Sequence, residues 1–123
     1  MLGGAERALL ARYVERFNAR DFDAIRDMLA DEVRLDMVAK ARMNGPAEIH
    51  SRYLHNYDLA RDWHVSPGVV DGRPVLLVRD PADPAGPVAY FVQLEWADGR
   101  LTHIRDFRYA RYVTDGAEVA ALN

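Results

Sequence analysis

The segment Arg12-Tyr13-Val14-Glu15-Arg16-Phe17-Asn18-Ala19-Arg20-Asp21-Phe22-Asp23-Ala24-Ile25 constrains the fold of this chain more than any other. Leu9, Tyr13 and Phe17, with Leu10 and Val14 beside them, recur at three- and four-residue spacing, while Glu6, Arg7, Arg12, Glu15 and Arg16 lie elsewhere. That pattern is a helix with one buried face, ending at Asn18-Ala19. A second helix starts at Asp21, whose carboxylate can accept a backbone N–H. Asp23 favours its first turn, and Phe22, Ile25, Met28 and Leu29 supply its buried side. Two helices, a strand and a third helix then precede a run of long strands. This arrangement folds helices over one curved sheet and leaves a pocket between the layers.

The strand is Val33-Arg34-Leu35-Asp36-Met37-Val38, which alternates. Asn44-Gly45-Pro46 opens the third helix, with Pro46 at its first position and Ile49, Tyr53 and Tyr57 on one face, ending near Leu59. Strands are predicted at about 63 to 70, 74 to 79, 88 to 96 and 101 to 113. They are separated by Asp71-Gly72, a loop holding Pro81, Pro84 and Pro87, and Asp98-Gly99, with the last two forming a long hairpin. Residues 1–114 form the domain, and 115–123 a short, weakly ordered tail or a dimer arm. In strand 88 to 96, Val88, Tyr90, Val92, Leu94 and Trp96 share a face that must be buried. The face of Ala89, Phe91, Gln93 and Glu95 is partly apolar, as expected where a partner subunit covers the outside of the sheet in a homodimer.

A length of 123 residues suits one domain with a single core and a cavity of small-molecule size. The net charge of −3 is spread along the chain, so no basic stripe tracks a phosphate backbone and direct nucleic-acid binding is not expected. Cysteine is absent, which removes disulfides, thiolate metal sites and a cysteine nucleophile. No apolar run reaches the roughly 18 residues of a membrane span and no signal peptide opens the chain, so a soluble cytoplasmic protein is expected.

The chain resembles the SnoaL-like branch of the nuclear transport factor 2-like superfamily, from Phe17-Asn18-Ala19-Arg20-Asp21 to Ile104-Arg105-Asp106-Phe107-Arg108-Tyr109. Val33 to Val38, Val70-Asp71-Gly72-Arg73-Pro74 and Ile104 to Tyr112 together look like the C-terminal SnoaL-like domain of certain bacterial extracytoplasmic-function sigma factors. The resemblance implies an α+β fold: a cone of three N-terminal helices on a strongly curved, mainly antiparallel sheet enclosing a pocket. It also implies a regulatory or small-hydrophobic-ligand-binding module, with a sigma factor or RNA polymerase regions as partners within a longer protein, although the helical DNA-binding and polymerase-binding regions are missing from this chain. No cofactor is implied. The same superfamily hosts isomerases, cyclases and hydrolases, so a small-molecule enzyme is the alternative.

Tyr13 and Tyr53 fall where ketosteroid isomerases of that superfamily place an oxyanion-binding tyrosine and its supporting tyrosine. Two accounts stay open: donors to a substrate oxygen, or rings packed between helices with their hydroxyls satisfied. By the same resemblance the isomerase's catalytic base corresponds to Met37 and its second acid to Val92, which disfavours that proton shuttle. Asp106 is the better candidate base. If Ile104 faces the pocket, the two-residue period places Asp106 there too, against apolar and aromatic walls that would alter its pKa. The competing account is an ion pair with Arg105, Arg108 or an arginine across the sheet.

The expected pocket is lined by Phe17, Met37, Tyr53, Tyr57, His64, Tyr90, Val92, Leu94, Trp96 and Ile104, with Asp106 and Tyr13 as its catalytic pair. His50, His55, His64 and His103 show no metal spacing, so no metal site is expected. Ser51 and Ser66 lack a nucleophile motif. The arginines at 100, 105, 108 and 111 read as a solvated strand edge or intrasheet ion pairs.

Overall fold

A computed structural model describes residues 2–122. Helix α1 (Gly4–Asn18) buries Leu10, Tyr13, Val14 and Phe17, as its spacing predicts. Helix α2 (Phe22–Asp27) is capped by Asp21, whose carboxylate accepts the Ala24 N–H at 3.2 Å. The turn between them is stitched to the rest of the molecule. Asn18 donates to the Val65 carbonyl at 2.8 Å and accepts the Val65 N–H at 3.0 Å. Arg20, at φ 58°, donates to the carbonyls of Tyr57, Asp58 and Ala60 and lies 4.6 Å from the Trp63 ring centre. These carbonyls close the third helical stretch, where the backbone has no helical partner of its own.

That stretch runs through α3 (Pro46–Glu48), a π-helical segment (Ile49–Leu54) and α4 (His55–Leu59). A π-helical segment of six residues is uncommon and marks sites where a helix has been re-aimed. Here it carries Tyr53, with Tyr57 one turn beyond it.

Among the described residues seven strands form one sheet: β1 (Leu29–Met37), β2 (Ala41–Asn44), β3 (His64–Val70), β4 (Arg73–Arg79), β5 (Tyr90–Ala97), β6 (Arg100–Asp106) and β7 (Val119–Ala121). Their order is β2-β1-β6-β5-β4-β3-β7, antiparallel throughout except for the parallel pair β1–β6. The two Asp-Gly dipeptides make the hairpin turns that sequence anticipates. Asp71 and Gly72, and Asp98 and Gly99, all have positive φ, the conformation in which a two-residue turn matches the twist of its strands.

Leu35, Ile104 and Leu94 align across β1, β6 and β5 on the face toward the helices, and Met37, Asp106 and Val92 form the next row. The bulge between Glu95 and Trp96 leaves Ile104 and Asp106 on that same face. Tyr13, Phe17, Phe22, Tyr57 and Trp63 meet mainly edge-to-face, with ring centres 5.1 to 6.4 Å apart, and fill much of the cone with the chain's own aromatic surface.

Several elements depart from expectation. β1 begins at Leu29, and the four-residue β2 was not foreseen. The last long strand stops at Asp106 instead of continuing to 113. Its end has a local cause: the Asp106 side chain accepts the N–H of Arg108 at 2.8 Å, an Asx-turn that breaks the ladder. Val88 precedes β5 and packs against the outer side of the sheet, not the inner one.

Beyond the turn, Phe107, Ala110, Val113, Ala117 and Val119 lie over Val70, Val75, Leu77 and Phe91 on the outer side, and β7 pairs with β3. The segment read as a tail or dimer arm thus belongs in part to the sheet. The apolar outer face holding Phe91, expected to meet a partner subunit, is covered by this chain itself.

Candidate functional site

Asp106 is wholly buried. Its Oδ2 accepts the Tyr53 hydroxyl at 2.6 Å and the Tyr57 hydroxyl at 2.7 Å, and its Oδ1 accepts the Arg108 N–H. The Tyr57 and Tyr90 hydroxyls are 2.8 Å apart, and Arg108 Nη1 donates to the Tyr90 oxygen at 3.0 Å. The proton positions in this chain follow from its ends. A guanidinium only donates and a carboxylate only accepts, so Tyr90 donates to Tyr57 and Tyr57 to Asp106. Each bond polarises the next, and the chain runs from a partly exposed cation to a buried anion.

Among the described residues the expected ion pair between Asp106 and an arginine is not formed. Arg108 instead pairs with Asp62, at 2.8 Å and 3.1 Å from Nη2 to its two oxygens.

Burial raises the Asp106 carboxyl above its ordinary value, against the opposing influence of the Tyr53 and Tyr57 hydrogen bonds, the Arg108 N–H and the Arg108 charge. Burial, followed by the Asp106 charge, also raises the phenols. Tyr90 is pushed up to about 12, with its bonds to Tyr57 and Arg108 working the other way, and Tyr13, Tyr53 and Tyr57 are likewise raised well above the ordinary phenol value. All four are neutral phenols, not phenolates, and Tyr53, Tyr57 and Tyr90 act as donors.

The sign for stability follows from linkage. A carboxyl raised in the folded state contributes fully below its unfolded value of about 3.9, and that contribution is lost as pH climbs through the folded value. The stability of the wild type relative to Asp106→Asn is therefore expected to fall as pH rises, by about 1.4 kcal/mol per pH unit over that window. Paired urea titrations from about pH 4 to pH 8 measure it. A difference that grows with pH would contradict the raised carboxyl.

A cleft of about 120 Å3 opens beside this network, lined by Met37, Tyr53, Asn56, Tyr57, Ala60, Arg108 and Tyr109. Of the expected lining residues it contains Met37, Tyr53 and Tyr57, and Tyr90 reaches it only through Tyr57 and Arg108. Phe17, Val92, Leu94 and Ile104 are core residues instead, because the aromatic cluster fills the interior in which a deeper pocket was expected. Trp96 lies 5.9 Å from Tyr13, edge to face, away from the cleft. His64 is exposed at the start of β3 while Trp63 and Val65 on either side are buried, so period two turns it outward.

Asp106 and Tyr13 are also enclosed and do not line the cleft. Among the described residues the Tyr13 hydroxyl and the Trp96 Nε1 have no hydrogen-bond partner.

Sequence reasoning did not place Asn56, Ala60 or Tyr109 at the cleft, nor Arg108, which it considered only as an ion-pair partner of Asp106 or part of a solvated strand edge. The position of Arg108 two residues after Asp106 is the spacing of an Asx-turn, which would have turned it back toward the carboxylate. Among the described residues no three His, Asp or Glu side chains converge as a metal site would require, and no helix is long and apolar enough to cross a membrane.

No protein-family model and no curated protein matches the chain. Solved structures do. An NTF2-like protein of unknown function from Burkholderia xenovorans superposes with a TM-score of 0.62 at 17% identity, over 97% of this chain and 85% of that one. A protein provisionally assigned as a polyketide cyclase, from Xanthomonas campestris, gives 0.59 at 22% identity, over 82% and 87%. One provisionally assigned as a ketosteroid isomerase, from Kribbella flavida, gives 0.56 at 21% identity, over 82% and 75%. The chain therefore has the nuclear transport factor 2-like fold, an α+β cone on a curved sheet.

Proposed function

We propose that this chain is a cofactor-independent enzyme that moves a proton on a compact carbonyl compound, as an isomerisation or a ring closure through an enolate requires. The observation that carries the reading is the buried carboxylate of Asp106 behind two phenols that themselves face the cleft. Tyr53 or Tyr57 is the group that meets substrate. A proton leaving the substrate carbon passes to the phenol oxygen as the phenol's own proton passes to Asp106 Oδ2, so no phenolate forms. The enolate then takes a proton at another atom, or attacks an electrophilic carbon, while Asp106 returns its proton along the same path. A raised carboxyl suits this exchange, since a proton acceptor works best when its pKa lies near the operating pH.

The neighbours assigned as a cyclase and an isomerase support an enzyme over the sigma-factor module that the sequence resembles. The cleft also limits the substrate. At about 120 Å3 it is comparable with the roughly 150 Å3 cavity that takes one benzene ring, so one ring is the limit and a four-ring steroid does not fit within it.

Exchange of the α-hydrogens of acetylacetone and cyclohexanone in deuterium oxide, followed by proton NMR, tests the reading directly. The wild type is expected to accelerate exchange, and Asp106→Asn to reduce it about 100-fold or more. Equal rates for the two proteins would return the chain to a ligand-binding module, the reading favoured by Asp106 having no direct contact with the cleft.

A further inference from the structure

We propose that the cleft is built for a carboxylate ligand, which takes the place of the Asp62 side chain on Arg108. The proposal rests on the enzyme reading for what happens to the ligand, but not for whether it binds. Arg108 lines the cleft with its side chain 20% exposed, and its guanidinium carbon lies 5.6 Å and 5.9 Å from the ring centres of Tyr57 and Tyr90. Nη1 is tied to the Tyr90 hydroxyl, so the fork is held in place before any ligand arrives. Nη2 carries Asp62.

Asp62 is poorly held. It lies in the irregular link between α4 and β3, its side chain is 57% exposed, and among the described residues it pairs with Arg108 alone. A surface ion pair of this kind contributes little to stability, so an incoming carboxylate has little to displace. The exchange is like for like: one planar carboxylate leaves the guanidinium and another, of the same charge and geometry, replaces it.

Two further cations lie close to residues of this network. Lys40 Nζ lies 4.2 Å from the ring centre of Tyr109, which lines the cleft, and the Arg111 guanidinium lies 4.9 Å from that of Tyr90. These cations raise the local concentration of small anions. Below them the cleft wall is Met37 and the Tyr53 and Tyr57 rings, which suits an apolar body of about one ring. A ligand seated on Arg108 thus has its carbon skeleton against the phenols bonded to Asp106. The substrate class is a compact carbonyl compound bearing one carboxylate.

Benzoate, its neutral isostere benzamide, and inorganic phosphate are the probes, titrated calorimetrically into the full chain at low ionic strength. Benzoate is expected to bind about ten-fold or more tighter than benzamide, a difference of about 1.4 kcal/mol. Phosphate, tetrahedral and without an apolar body, should bind more weakly than benzoate. Asp62→Asn should tighten benzoate about three-fold or more by removing the internal competitor, and Arg108→Gln should weaken it about ten-fold.

Equal binding of benzoate and benzamide overturns the proposal, as does phosphate binding more tightly than benzoate or Asp62→Asn leaving benzoate unchanged. The Asp62 variant decides the matter even if Arg108→Gln fails to fold, because a gain of affinity cannot come from lost structure. Exchange activity on neutral ketones without benzoate binding would sink this proposal and leave the enzyme reading intact. Benzoate binding with no exchange on any substrate would do the reverse.

Discussion

Asp106→Ala is expected to destabilise the fold by about 2 to 4 kcal/mol at neutral pH, while Asp106→Asn changes stability little. Removal of the carboxylate strands two groups at once: the Tyr53 hydroxyl loses its acceptor, and the Arg108 N–H loses the acceptor that ends β6. A buried polar group left unpaired costs about 1 to 3 kcal/mol. Tyr57 keeps its bond to Tyr90, and the alanine variant is relieved of desolvating a carboxylate, so the total stays below the sum of three full losses. Asparagine retains an acceptor oxygen for the Arg108 N–H and presents an amide that can donate to the phenol oxygens after their hydroxyls rotate. Urea unfolding at pH 7 separates the two variants. A large loss for asparagine as well would mean that the negative charge, not the hydrogen bonds, holds this region together. The contrast matters for function, because only a folded Asp106→Asn allows its loss of exchange activity to be read as chemistry.

The carboxylate was legible in sequence, and its surroundings were only partly so. Period two from Ile104 put Asp106 on the inner face, where it lies. Met37 and Val92, at the positions corresponding to the isomerase's acids, turn out to flank it on β1 and β5. A carboxylate therefore occupies the strand between two positions that are apolar here. The four-residue spacing of Tyr53 and Tyr57 put two phenols on one face, but convergence of both on one oxygen depends on the sheet behind them and no local pattern carries it.

β2 and β7 escaped notice because edge strands need only one ladder and bury little: Met43 is the one fully buried residue of β2, and none of Val119, Ala120 and Ala121 is. The alternation of aromatic and charged residues from Ile104 to Tyr112 mimics a strand well past Asp106. The Asx-turn overrides it, because a hydrogen bond from a side chain to the backbone two residues on competes directly with the ladder.

Phe91→Ala is expected to cost about 3 to 5 kcal/mol, and the loss should not depend on protein concentration. Phe91 is buried on the outer side of the sheet, with the Phe107 ring centre 4.8 Å away and Leu77 and Val75 in the same cluster. Two arrangements could bury a phenylalanine there, and they differ by mass action. Cover supplied by a second copy would make the unfolding midpoint of the wild type fall on dilution, and Phe91→Ala would erase that dependence along with the dimer. Cover supplied by residues 107–119 of the same chain makes the midpoint independent of dilution in both proteins, with the full cavity and transfer cost appearing at every concentration. Urea midpoints over a roughly hundred-fold range of concentration distinguish the two. A constant wild-type midpoint, lowered uniformly by the substitution, is the outcome that the packing of Phe107, Ala110 and Val113 on this face requires. A midpoint that falls with dilution would instead mean that the outer face is completed by another molecule, and that the segment following Asp106 is not enough to cover it.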